Sequence, residues 1–152
     1  NNYKDFNYYD FQGSTWAPHL IHKTIWDKIG GFSEEFNPGI GSDPDLNMKL
    51  WNVGVRIFKG LGNFRVYHFG SISLRKKDKL KRNKGSKTFL KKWGMSPTFF
   101  IKYYMNGGKF KDNQIICTSY DGPLKNPKKT PFYLIELFIC KLKLIYYNFF
   151  KS

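Results

Sequence analysis

A short acidic motif, Gly41-Ser42-Asp43-Pro44-Asp45-Leu46, most constrains the fold because it combines several signals for the start of a helix. Asp43 suits the N-cap, and Pro44 suits the first helical position, where its missing N–H is no loss. Asp45 in the first turn would interact favourably with the helix dipole. The motif therefore predicts a helix that ends before Gly54. Its apolar stripe consists of Leu46, Leu50 and Val53.

The remaining elements are predicted from hydrophobic spacing and from glycine and proline breaks. Ile21, Ile25 and Ile29 share one face of a short helix, which Gly30 would end. This short helix covers 20–29, and the other predicted helices cover 79–93, 99–105 and 131–151. The predicted strands cover 55–59, 64–68 and 114–119. This mixture of helices and strands predicts an α/β fold.

Positive charge is concentrated in the second half of the 152-residue chain, whose net charge is +15. Residues 1–72 carry seven basic and seven acidic side chains, whereas residues 73–152 carry 19 basic and four acidic ones. The densest run, 75–92, holds ten basic residues and one acid. Such a half would attract anionic lipid or another polyanion, although a merely solvated lysine-rich surface has the same composition.

The last predicted helix, 131–151, is long enough to reach across a bilayer but is charged near its middle. Glu136, Lys141 and Lys143 cost about 3 kcal/mol each, which exceeds the gain of about 0.5 kcal/mol from each Leu, Ile and Phe and leaves insertion unfavourable by roughly 3 to 4 kcal/mol. The pattern favours an amphipathic helix that lies on a surface or packs on protein over one that spans. Its predicted apolar face consists of Leu134, Ile135, Phe138, Leu142, Ile145 and Phe149.

Chain length and cysteine content exclude several classes of protein. The length suits one domain with a substantial core. Cys117 and Cys140 are too few for a disulfide framework or a four-ligand zinc site, and residues 1–20 hold no apolar secretory segment. We therefore expect reduced cysteines and a cytoplasmic location, with peripheral attachment to the inner face of the membrane as an alternative.

Asp43, Asp45 and His68 are the side chains best suited to chemistry. The two carboxylates either cap the helix and compensate its dipole, or place a base at the mouth of a loop-lined cleft. His68, which follows a predicted strand, is either an ordinary histidine or one ligand of a divalent metal. A single ligand does not make a site, and the sequence contains no phosphate-binding loop.

Four motifs occur in order at 13–18, 26–36, 41–46 and 66–68. They are similar to an acceptor-side strand and turn, a Gly-Gly-Phe-Asp-Glu element, a Glu-Asp-x-Asp-Leu motif and a strand ending in a metal-binding histidine. Together, over roughly residues 10–93, they resemble the C-terminal half of family 2 glycosyltransferases. The resemblance implies part of a GT-A domain in residues 1–93. Residues 94–152 would form a basic, partly helical extension.

This resemblance implies transfer of a sugar, with inversion, from a nucleotide-sugar donor to a glycan or lipid-linked acceptor of the cell envelope. Asp43 would be the catalytic base, and Asp45 the second candidate or a partner that holds the helix and acceptor. His68 would bind Mn²⁺ or Mg²⁺, which in turn binds the donor diphosphate. The implied acceptor-binding residues are Trp16, Gly41 and Ser42.

The sequence departs from the family pattern in three respects. Ser42 replaces a glutamate, and Lys49 stands where the family has an arginine. No Asp-x-Asp motif precedes Gly13, and the sequence begins without methionine. We therefore expect a fragment, or a chain that needs a partner, with poor donor binding and no turnover alone. The rival hypothesis is a non-catalytic nucleic-acid- or polyanion-binding module, but no nucleic-acid-binding signature is present, so nucleic acid is not expected.

Overall fold

The structure is a computed structural model that describes residues 10–13, 18–37, 39–64, 84–106, 109–111, 114–116 and 119–149. Within these segments the α-helices are α1 (Lys23–Ile29), α2 (Ser42–Asn52), α3 (Lys84–Trp93), α4 (Pro97–Tyr103) and α5 (Pro131–Phe149). The strands are β1 (Phe11–Gln12), β2 (Lys59–Gly60), β3 (Lys109–Lys111) and β4 (Gln114–Ile116), and a short 3-10 helix covers Glu34–Phe36.

Helix α1 begins three residues later than predicted, because His22 caps it. The His22 side chain accepts a hydrogen bond from the backbone N–H of Thr24, which satisfies a donor that the first turn leaves open. Gly30 ends the helix in the left-handed conformation, with φ of 70°, as the sequence predicts. The predicted apolar face is confirmed, since its three isoleucines pack against the core: Ile21, Ile25 and Ile29.

Each described sheet has two antiparallel strands. Strands β1 and β2 pair Phe11 with Gly60 and Gln12 with Lys59, while β3 pairs with β4. The strand predicted at 55–59 is reduced to its end, and β3 was missed in a region predicted as loop. Of the strand predicted at 64–68, only residue 64 is described, and it is not in a strand. The chain is therefore α/β at the level of its helix and strand content.

Aromatic side chains on four helices contact one another in the core. Phe99 of α4 contacts Tyr133 of α5 at a ring separation of 4.9 Å, and Trp51 of α2 lies 5.2 Å from Tyr104. These pairs add to the free energy gained by burying the rings. Core residues come from both sides of the predicted boundary between residues 93 and 94. The largest fully buried apolar side chains are Phe89, Phe99, Phe100, Leu46 and Met105.

Helix α5 packs on the core through a stripe of its own. Tyr133 and Cys140 are buried, and Leu137, Leu144 and Tyr147 pack beside them. The apolar face predicted from the sequence is instead exposed to solvent. Among the described residues, no helix is both long enough and apolar enough to cross a membrane. Two apolar stripes therefore run along α5, and the protein covers one of them.

Candidate functional site

The acidic motif occupies the turn before α2 and its first turn. Gly41 has φ of 89°, a left-handed conformation that glycine adopts at little cost, and the helix begins at Ser42. The prediction that Asp43 caps the helix and Pro44 begins it is wrong, because Gly41 turns the backbone earlier. The Ser42 hydroxyl donates a 2.6 Å hydrogen bond to the carbonyl of Gly39 and closes this turn. Asp43 lies inside the first turn, where the helix dipole favours a negative charge.

Asp45 is completely buried, with 0% of its surface exposed. Its Oδ2 accepts a 2.6 Å hydrogen bond from the Ser33 hydroxyl, and its Oδ1 accepts a 2.8 Å bond from the Trp93 indole N–H. The Lys92 ammonium lies 2.9 Å from Oδ1. A buried charge is tolerated when it is paired and hydrogen-bonded in this way. Asp45 therefore holds α2 against α3 and against the loop before the 3-10 helix.

Lys92 is the second centre of this network, and 24% of its side chain is exposed. Its ammonium donates hydrogen bonds to the Ser33 hydroxyl at 2.8 Å and to Glu35 Oε1 at 2.7 Å. Burial lowers the pKa of Lys92, but its bonds to Glu35 and Asp45 outweigh this and leave the pKa raised. The hydrogen bond from Lys92 in turn lowers the pKa of Glu35. Lys92 and Glu35 therefore both stay charged at neutral pH.

Asp43, only two residues before Asp45, has a different environment. Asp43 is partly exposed, and its charge acts on the imidazole of His19. Burial lowers the pKa of His19, and the charge of Asp43 opposes this effect without overcoming it. The Nε2 atom of His19 is buried and has no hydrogen-bond partner among the described residues. The neutral imidazole of His19 therefore lies within electrostatic range of the Asp43 carboxylate at the start of α2.

His19 is not among the candidate site residues predicted from the sequence. The available signal was its position, three residues after the predicted acceptor-binding Trp16. Trp16 and the predicted metal ligand His68 both lie outside the described residues. Gly41 and Ser42 are described and partly buried. A Cβ at position 41 would lie 3.1 Å from a backbone oxygen at the start of α3, so glycine also permits close packing here.

Lys49 is the counterpart of the arginine expected on this helix. The hydrogen bond described for its ammonium involves neither Asp43 nor Asp45. Its ammonium donates a 2.8 Å hydrogen bond to the carbonyl of Gly31. This bond ties α2 to the glycine pair that ends α1. Lys49 therefore helps to fix the backbone around the site.

The resemblance implies that the site binds Mn²⁺ or Mg²⁺. Divalent cations need several oxygen or nitrogen ligands converging on one point. Within the described segments, no group of three or more histidine, cysteine, aspartate or glutamate side chains could hold one. Asp45 is already occupied by three donors. The described residues do not fit a metal centre.

Comparison with known proteins adds no relative to this description. The sequence matches no protein-family model, and neither a curated protein nor a solved structure is significantly similar to it. The geometry around α2 therefore carries the functional argument.

Proposed function

We propose that this chain is the acceptor-side part of an inverting glycosyltransferase in which Asp43 receives a proton from the acceptor hydroxyl. The observation that carries this proposal is the contrast between two carboxylates of one motif. Asp45 is enclosed and held by three donors, whereas Asp43 is partly exposed and acts electrostatically on the imidazole of His19. Only Asp43 is placed where a hydroxyl from solvent could reach it.

In the proposed reaction, the acceptor hydroxyl attacks the donor sugar beside Asp43. As the acceptor oxygen forms its bond to the anomeric carbon, its proton passes to the carboxylate of Asp43. The bond between the anomeric carbon and the donor diphosphate breaks, and the nucleoside diphosphate leaves with that electron pair. Attack opposite the leaving group inverts the anomeric centre. The donor would be a nucleotide sugar, and the acceptor a glycan or lipid-linked saccharide.

His19 would position the acceptor in this scheme. Burial keeps its imidazole neutral at neutral pH, so one ring nitrogen can donate and the other can accept a hydrogen bond. The Nε2 atom is buried without a partner among the described residues, and a second hydroxyl of the saccharide would satisfy it once the adjoining side chains make room. Asp45 and Lys92 would act indirectly, by holding the first turn of α2 in place.

The test is a transfer assay on the complete polypeptide that contains these residues, with a panel of nucleotide sugars and saccharide acceptors. Release of nucleoside diphosphate measures the rate. Asp43→Asn should lower kcat by about 10³-fold, the middle of the range for a general base, and leave donor binding unchanged. Asp121→Asn is the matched control, because it makes the same change at an exposed carboxylate outside the motif. Unchanged kcat in Asp43→Asn, or no transfer from any donor, would overturn the proposal.

The 152-residue chain alone supplies a second readout that does not need the donor. Oligosaccharide acceptors should shift the NMR resonances of His19 in this chain, and His19→Ala should weaken their binding. His19→Asn retains a hydrogen-bonding group and should restore part of it. Saccharide binding that both variants leave unchanged would remove His19 from the acceptor site.

A further inference from the structure

The exposed apolar stripe of α5 is continuous along the solvent-facing side of the helix. We call this stripe the outer face. With 100° of rotation per residue, it points away from the stripe that contains Tyr133 and Cys140. A helix of 19 residues is about 28 Å long, so the stripe is an extended apolar surface and not a single exposed side chain. Its members are Leu134, Ile135, Phe138, Ile139, Leu142, Ile145, Tyr146 and Phe149.

Lysines border this outer face on both sides. At 100° per residue, Lys141 lies about 80° to one side of the line through Phe138 and Leu142, and Lys143 lies about 120° to the other side. Both lysines are exposed. Long basic side chains in this position can extend their ammonium groups to phosphates while their methylene stems cover apolar surface. The acidic residue of the helix, Glu136, is instead bonded to Lys102 of α4.

From this arrangement we infer that the outer face of α5 docks onto an anionic membrane surface, with the helix axis parallel to the bilayer. The apolar stripe enters the region between headgroups and acyl chains, and the flanking lysines contact lipid phosphates. This inference rests on α5 alone and stands independently of the proposed transfer reaction.

Charge favours lipid over a second copy of the chain as the occupant. Each copy carries a net charge of +15, and residues 73–152 hold 19 basic residues against four acids. Two outer faces in contact would bring the lysines that border them together, with Glu136 already engaged by Lys102. An anionic bilayer supplies the opposite charge at the same border.

A cavity of about 250 Å³ lies beside the outer face and is suited to a phosphate-containing headgroup. It lies where α3, the start of α4 and the last turns of α5 meet. Its polar lining offers two ammonium groups and three hydroxyls, the donors that phosphate oxygens accept from. The lining residues are Ser86, Lys87, Leu90, Ser96, Lys143 and Tyr147. Lys143 belongs to both the cavity and the border of the outer face, whereas Lys141 belongs only to the border.

Vesicle flotation with the full 152-residue chain tests the inference. Vesicles of phosphatidylglycerol mixed with phosphatidylcholine should bind it, pure phosphatidylcholine vesicles should bind it far less, and added salt should release it. Phe138→Ser combined with Leu142→Ser should weaken binding about thirtyfold, because these side chains are 59% and 49% exposed and supply apolar area to the bilayer. Ile57→Ser combined with Phe64→Ser removes exposed apolar groups elsewhere and should leave binding unchanged.

The lysines provide the second arm of the test. Lys141→Gln should weaken binding to the anionic vesicles about fivefold, and Lys143→Gln should weaken it more because it also removes an ammonium group from the cavity. Circular dichroism should show unchanged folding, since all the altered side chains are exposed. Equal binding by the Phe138/Leu142 variant and the parent would overturn the inference. A lipid-free dimer in analytical ultracentrifugation that this variant dissociates would also overturn it, in favour of a second copy.

Discussion

Replacement of Lys92 by methionine should destabilise the protein, because it leaves the carboxylate of Asp45 buried without its counter-charge. Removing one partner of a buried ion pair typically costs about 3 to 5 kcal/mol. The lower end, about 3 kcal/mol, applies here because 24% of the Lys92 side chain is exposed and Asp45 keeps its bonds from Ser33 and Trp93. For a chain of this length, this corresponds to a decrease in Tm of about 9 °C.

Asp45→Asn tests the other side of the same pair. Asparagine can still accept from Trp93, but its amide N–H₂ cannot accept from Ser33, so we expect a loss of about 2 kcal/mol. In the double variant no buried charge remains. Adding Lys92→Met to Asp45→Asn should therefore cost only about 1 kcal/mol, which gives a coupling energy of about 2 kcal/mol between the two positions.

Urea unfolding followed by tryptophan fluorescence measures each free energy of unfolding. Lys91→Met is the matched control, because Lys91 is the exposed neighbour of Lys92 and should change stability by less than about 0.5 kcal/mol. The reasoning is refuted if Lys92→Met is as stable as Lys91→Met. It is equally refuted if the effects of Lys92→Met and Asp45→Asn simply add, because additive effects would mean that the two charges are not coupled in the folded protein.

Three further outcomes follow from the same structure. Asp43→Asn should lower the pKa of His19, because the charge of Asp43 raises it. An NMR titration of the imidazole measures this change, and an unchanged pKa would show that the two groups do not interact. Since the pKa of Glu35 is lowered from 4.5 on folding, its stabilising contribution should be present above pH 4.5 and lost as the pH falls through the folded value. Thermal melts of Glu35→Gln should lack that part of the acid dependence, and an identical profile would contradict it. Gly85→Ala should lower the free energy of unfolding by about 1 to 3 kcal/mol, because its Cβ would collide with a backbone carbonyl before α2. Gly94→Ala meets open space and should cost about 1 kcal/mol through its φ of 70°. Equal melting temperatures of the two variants would show that the collision is relieved.

Helix positions were largely predictable from the sequence, but their first residues were not. The stripe of Ile21, Ile25 and Ile29 identified α1, yet its start depends on a hydrogen bond to the His22 side chain. The start of α2 was displaced because the left-handed Gly41 closes the turn before Asp43 is reached. Local spacing reports which residues share a helical face, whereas caps depend on individual backbone angles.

The orientation of α5 shows a second limit of sequence reasoning. The sequence predicted a face containing Phe138 and Leu142, and this face exists. A second stripe, containing Tyr133, Leu137 and Cys140, is equally apolar and is the one that packs on the core. Periodicity could not choose between two apolar stripes, because the choice depends on the shape of the surface formed by the other helices.

The roles of Asp43 and Asp45 could not be separated from their local sequence either. Both carboxylates lie in the first turn of α2, on either side of a proline. Their environments differ because Trp93 and Lys92, almost fifty positions later, reach one of them and not the other in the described bonds. Only the tertiary structure brings those groups together.

The sequence distance between Asp45 and Trp93 also has a consequence for synthesis on the ribosome. When α2 has emerged, the donors from α3 that satisfy its buried carboxylate have not yet been translated, since Trp93 follows by 48 residues. An emerging chain that ends before α3 would have to bury that charge with too few partners, so α2 should stay hydrated until α3 is released. The first half of this chain is thus expected to wait for the second before it folds.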